Sequence, residues 1–204
     1  MPLTKYNNQS LLNVTAVPAS IPLGDMVLVS SATASASASI EFTLGSYKEY
    51  QFYFVNMHPS GDNAIFEMNL STDSGSNYNV TKTSTSFGAR NKENGDNIYA
   101  DLSYDSSRDL AQSTSNQALI SRNEIGFSND DNLCGSLNLF NPSSTTYVKH
   151  FIANTSFVVA SYGPANINNF TAGYANTTSA LTNIKFQFAS GNIDAGTILL
   201  YGIN

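Results

Sequence analysis

The chain has 204 residues, within reach of the roughly 200 to 250 that all-β domains use as one unit, and its 41% hydrophobic content with 11 Tyr and 12 Phe can fill a core without covalent staples. A single cysteine, Cys134, excludes an intrachain disulfide and any CxxC metal or redox motif. Charged residues are only 12% of the chain and the net charge is −6 with Lys and Arg scattered singly, which excludes an electrostatic footprint for nucleic acid.

In chain order, residues 1–24 hold Pro2, Pro18, Pro22 and Gly24, which break any regular helix and predict an extended N-terminal arm touching a neighbouring subunit. Residues 25–204 are expected to form one domain. Residues 26–30 read as a first strand and residues 34–44 as a strictly alternating small and polar strand whose alanines face a packed layer. The aromatic run 47–57 is bounded by His58-Pro-Ser-Gly and predicts a central strand. Its alternation puts Tyr47, Glu49, Gln51 and Tyr53 on one face and Lys48, Tyr50, Phe52 and Phe54 on the other, the core face. A strand over 64–72, a turn at Asp73-Ser-Gly-Ser-Asn and a strand over 78–87 come next.

Residues 88–97 read as a polar loop, 98–104 as a strand and 106–112 as a short helix, the one helix predicted anywhere. Strands are then expected over 118–121, 133–140, 147–155, 156–162, 169–174, 181–189 and 197–202, separated by Asn, Asp, Ser, Gly and Pro turns. Ten or more short strands at such spacing predict an all-β fold, a single β-sandwich of jelly-roll type. No repeat, heptad run or interdomain linker is present, and neither a leader-like basic and apolar start nor a long apolar run predicts export or membrane insertion.

A thiol needs an adjacent imidazole to act as a nucleophile, so Cys134, His58 and His150 are the first residues to weigh. Cys134 opens an alternating strand, His58 precedes a proline turn and His150 sits in a Phe-containing strand, contexts that favour structural roles. The oxygens of Asn129-Asp-Asp-Asn and Asp73-Ser-Gly-Ser-Asn lack the spacing of a calcium loop and read as turn formers. Among Glu41, Glu49, Glu67, Glu93 and Glu124 no pair stands out for glycoside cleavage, and Glu41 and Glu67 read as outward charges on strands. With no tryptophan, a sugar would have to stack on Tyr47, Tyr50, Tyr53 or Tyr162. The expectation is a non-enzymatic protein with no catalytic, cofactor-binding or metal site.

Longer blocks carry a resemblance. Residues 47–59 (Tyr-Lys-Glu-Tyr-Gln-Phe-Tyr-Phe-Val-Asn-Met-His-Pro), 70–83, 109–114, 139–153 and 172–180, and the ending 188–203 (Phe-Ala-Ser-Gly-Asn-Ile-Asp-Ala-Gly-Thr-Ile-Leu-Leu-Tyr-Gly-Ile), resemble a family of uncharacterised structural proteins of marine tailed bacteriophages. The resemblance implies a virion component, either a tail fibre or adaptor module or a head decoration or fibre protein, and carries over no catalytic residue. It implies as partners other virion proteins and other copies of the chain, a homo-oligomer with a trimer as one closure. A receptor- or carbohydrate-binding module, contacting a host surface glycan through loops 88–97 and 123–132, is the alternative.

Overall fold

The computed structural model describes residues 26–95, 100–121, 124–159 and 164–204. Among them the fold is all-β: β1 (Met26–Thr33), β2 (Ile40–Thr43), β3 (Glu49–Pro59), β4 (Phe66–Ser71), β5 (Lys82–Lys92), β6 (Asp101–Tyr104), β7 (Gln117–Ala118), β8 (Leu133–Phe140), β9 (Lys149–Val159), β10 (Ala165–Ala175), β11 (Asn183–Phe188) and β12 (Ile193–Ile203). No helix of the described residues is long and apolar enough to cross a membrane. The expected arm over 1–24 lies outside the described residues.

The strands form two antiparallel sheets. The larger has the order β1-β12-β3-β8-β9-β10-β5-β6 and the smaller β2-β11-β4-β7. Alternation dictates the packing: Tyr50, Phe52 and Phe54 of β3 point inward as the sequence predicts, while Tyr53 and Val55 point out. Lys48, assigned to the same face, lies just before β3 and is exposed.

The sheets meet across aromatic rings. Phe186 of β11 packs on Phe52 and Phe54 of the larger sheet with centroids 5.2 Å apart in each case, and on Phe42 of β2 at 6.3 Å. Phe66 of β4 meets Phe54 edge-on at 5.2 Å. These T-shaped pairs place the positive ring edge on the negative face of the next and add to the area they bury.

Four sequence expectations are corrected. Residues 34–44 are not one strand: only β2 pairs, because Ala34–Ser39 turn the corner between sheets, with Ala36 at a φ of 51° and Ser37 bridged to Ile193, and of the three alanines only Ala34 is buried. Residues 88–92 are not loop but the end of β5, paired to β10 through Lys92. Residues 106–112 form no helix, since their bonds run sideways: Leu110 N–H donates to Ser84 Oγ (2.9 Å) and Ser84 N–H to Leu110 O (2.9 Å). The strands expected over 147–155 and 156–162 are one, β9, up to Val159. Its polar triplet Asn154-Thr-Ser continues the alternation, with Thr155 buried and its hydroxyl donated to Leu119 O at 2.6 Å.

Registry sorts the ends of the larger sheet into two poles. At one, Ile193 pairs with Pro59, Met57 with Leu133, and Ala165 with both Val159 and Lys92. At the other, Met26 pairs with Ile203, Ile203 with Glu49, Glu49 with Phe140, and Ala175 with both Lys149 and Lys82. The chain therefore enters β1 at the second pole, opposite the connections that follow β3, β5 and β9.

Candidate functional site

The first pole carries a polar depression of about 330 Å³ lined by Asn56, His58, Asn129, Asp131, Asn132, Asp194 and Ala195. Two strands are bent to make it. The β3–β8 register slips between Phe54 and Met57, and the β3–β12 register slips twice between Ile193 and Thr197. Bulges of this kind re-aim side chains. Here they turn Asn56, at a φ of 52°, His58 and Asp194 toward the rim. Gly196 makes the approach feasible, since a Cβ there would sit 2.7 Å from Asn56 O and its φ is +118°.

His58 Nδ1 lies 3.6 Å from Asp194 Oδ2, and its Nε2 lies 3.1 Å from Ser128 O. Ser128 N–H donates to Asp131 Oδ2 at 3.2 Å and Asp131 N–H to Ser128 O at 2.8 Å, closing the turn below Asn129. Cys134 stands beside this group: its thiol can donate to either Asn56 Oδ1 (3.4 Å) or Asn132 Oδ1 (3.7 Å) and accepts from Asn56 N–H at 3.3 Å. The half-buried thiol thus has amides, not an imidazole, as its hydrogen-bond partners, while His150 lies on the outer face of β9 against Tyr174, ring centroids 5.9 Å apart. The depression presents amides, carboxylates and one imidazole, a set that can donate to and accept from hydroxyls.

The other weighed residues are held elsewhere. Asp73 accepts from Ser71 Oγ (2.6 Å), Asn77 N–H (2.9 Å) and Asn77 Nδ2 (2.7 Å), an Asx turn whose donors lower its carboxyl to about 2. Glu41 accepts from the Tyr78 hydroxyl at 2.9 Å, and Glu124 pairs with Arg108 at 2.9 Å. Glu49 accepts from Asn138 Nδ2 at 2.5 Å.

Glu67 is not the plain outward charge its strand position predicts. It is half-buried under residues 113–117, accepts from Asn116 Nδ2 at 2.9 Å, and burial raises its carboxyl despite that bond. Asn116 Oδ1 in turn accepts from Asn69 Nδ2 (2.9 Å), and Asn69 Oδ1 accepts from the fully buried Lys82 Nζ at 2.6 Å. Lys82 also donates to Val80 O at 2.7 Å, and desolvation lowers its ammonium to about 8. This chain of side chains fastens the 113–117 segment to the smaller sheet.

Asn56 and Asp194 were not among the residues singled out from sequence; the available signal was Asn56 itself, a polar residue interrupting the apolar run of β3. Among the described residues no group of three or more His, Cys, Asp or Glu is placed to hold a metal ion. No family model, curated protein or solved structure matches the chain.

Proposed function

We propose that the chain is a non-enzymatic structural protein of a tailed bacteriophage, built as a jelly-roll sandwich and displayed on the particle as a tail fibre or adaptor component or as a head decoration. The strand order supports the jelly-roll reading. Taking β5–β6 and β9–β10 as inserted hairpins leaves eight strands in the orders β1-β12-β3-β8 and β2-β11-β4-β7. Successive strands of that set alternate between sheets except at β4 and β7, which is the path of two interlocked Greek keys, an architecture recurrent in viral capsid and lectin domains.

A fold alone does not assign a role. The observation that carries this one is polarity: the chain enters β1 at one pole, and the polar depression opens at the opposite one, among the ends of β3, β8 and β12. That arrangement suits a module tethered by residues 1–24 with its loops turned outward. The block resemblance to marine phage structural proteins supplies the particle. Deleting residues 1–24 is expected to leave a folded domain and abolish its incorporation into particles; normal incorporation contradicts the tether.

The depression lined by Asn56, His58, Asn129 and Asp194 favours one second reading, a receptor- or carbohydrate-binding tip. Its hydrogen-bonding side chains suit sugar hydroxyls, and Asn129→Ala is expected to weaken retention on a host-glycan array. Equal retention of the variant removes this reading and leaves the structural one in place.

A further inference from the structure

The outer face of the larger sheet is nearly free of charge. Along β8, β9, β10, β5 and β6 the outward positions are Cys134, Ser, Thr, Asn, aliphatic and aromatic residues and, of acids, bases and imidazoles, only His150; Glu49, His58 and Asp194 lie farther along the sheet on β3 and β12. Its apolar part is contiguous by register. Ile152 of β9 opposes Ala172 of β10, Phe170 of β10 opposes Phe87 of β5, and Phe87 opposes Tyr104 of β6, with Leu102 two residues away on the same side.

Every one of the large side chains is well exposed: Ile152 52%, Phe170 39%, Phe87 40%, Tyr104 55% and Leu102 69%. Phe87 and Phe170 lie parallel, centroids 5.2 Å apart and 14° between planes, which makes a flat ledge. At its rim the Tyr104 hydroxyl donates to Asp109. Single exposed apolar residues are ordinary, but a joined set of five marks an interaction surface.

We propose that this face docks a second copy of the same chain. The chain carries −6, so two copies repel wherever their charged surfaces meet, and over β8, β9, β10, β5 and β6 the outward side chains include no carboxylate, ammonium or guanidinium group. A strongly basic or acidic partner would find nothing here to pair with. The geometry suits sheet against sheet: β10 is in unbroken register with both β5 and β9 from Ala165 to Ala175, whereas the bulges lie in β1, β3 and β12. The five strands from β8 to β6, with about 4.8 Å between strands and about 3.3 Å per residue, offer about 700 Å². That is close to the roughly 800 Å² per partner of a standard interface, with aromatics at its centre and charges outside.

This inference rests on the assembly part of the proposed function and names its surface. The test is sedimentation of the full chain and of Ile152→Glu, Phe170→Glu and Val55→Glu, the last exposed on the same sheet but on the β3 side, with circular dichroism and thermal melts to establish folding. The expected result is a wild-type oligomer that the first two variants dissociate, weakening association at least tenfold, while Val55→Glu leaves it intact. An oligomer unchanged by Ile152→Glu and Phe170→Glu overturns the docking face and leaves the assembly reading standing. An oligomer lost equally with Val55→Glu overturns the confinement to β9, β10, β5 and β6. Wild-type chain that stays monomeric at every concentration overturns self-docking altogether, and binding of a different virion protein to this face then identifies the occupant.

Discussion

Lys82 and Lys149 illustrate how few charges this chain spends and where. Both are fully buried, and their ammonium groups donate to neutral oxygens, Lys82 to Asn69 Oδ1 and Val80 O, and Lys149 to Thr177 O and Ser179 O. Desolvation lowers both. For Lys82 the folded value of about 8 lies below its ordinary 10.5, so between those values the unfolded chain binds more protons than the folded one. Stability from this group therefore rises with pH across that window and is lost as pH falls through about 8. The melting temperature of the wild type is expected to climb over that range, and Lys82→Met to climb less, Lys149 keeping its share; identical slopes contradict the buried ammonium. Backbone contacts set a second residue-scale test. A Cβ on Gly135 would lie 2.3 Å from Asn154 O and 2.7 Å from Thr155 Cα, whereas one on Gly61 meets nothing within 4 Å. Gly135→Ala is expected to cost about 1–3 kcal/mol in urea unfolding, the scale of overpacking. Gly61→Ala should stay within about 0.5 kcal/mol.

At the scale of elements, the aromatic strand β3 was the most legible, because alternating Tyr50, Phe52 and Phe54 can face only one way in a half-buried sheet. Phe186 is the residue on which those rings converge, touching Phe42, Phe52, Phe54 and Phe66. Phe186→Ala is expected to destabilise by about 3–5 kcal/mol, with Phe127→Ala, 54% exposed, as a near-neutral comparison in the same chemical unfolding measurement. Two of the errors share a physical source: polar residues were read as loop at 88–92 and as a break between strands at 155/156, where the sheet interior is itself polar. Ser84, Ser86, Thr155, Asn169 and Thr171 are all buried, and Asn169 Nδ2 donates to Thr171 Oγ1 at 2.9 Å and Leu119 O at 3.2 Å. Hydropathy alternation is silent in such strands, which is why the end of β5 and the middle of β9 were misread. The 106–112 segment failed in the opposite sense, since its local helix preference is overridden by bonds to β5.

The whole molecule contains what no local pattern encodes. That β12 returns between β1 and β3, and β11 between β2 and β4, depends on pairings more than a hundred residues apart, such as Met26 with Ile203 and Ile40 with Phe186. The depression at the loop pole has the same origin: Asn56, Asn129 and Asp194 are distant in sequence and meet only because β3, β8 and β12 end together. Its Asn129–Asn132 side was visible beforehand as a turn, its β3 and β12 sides were not. On this architecture we propose an acidic module tethered at one pole, presenting the polar depression at the other, and meeting its own copies through the part of the larger sheet from β8 to β6. The proposed place on a tailed-phage particle is tested by quantitative peptide mass spectrometry of phage particles purified from cells that produce the chain. The chain is expected in a fixed, multiple copy number per particle; its absence from particles, with the protein confined to the cell lysate, contradicts the proposal.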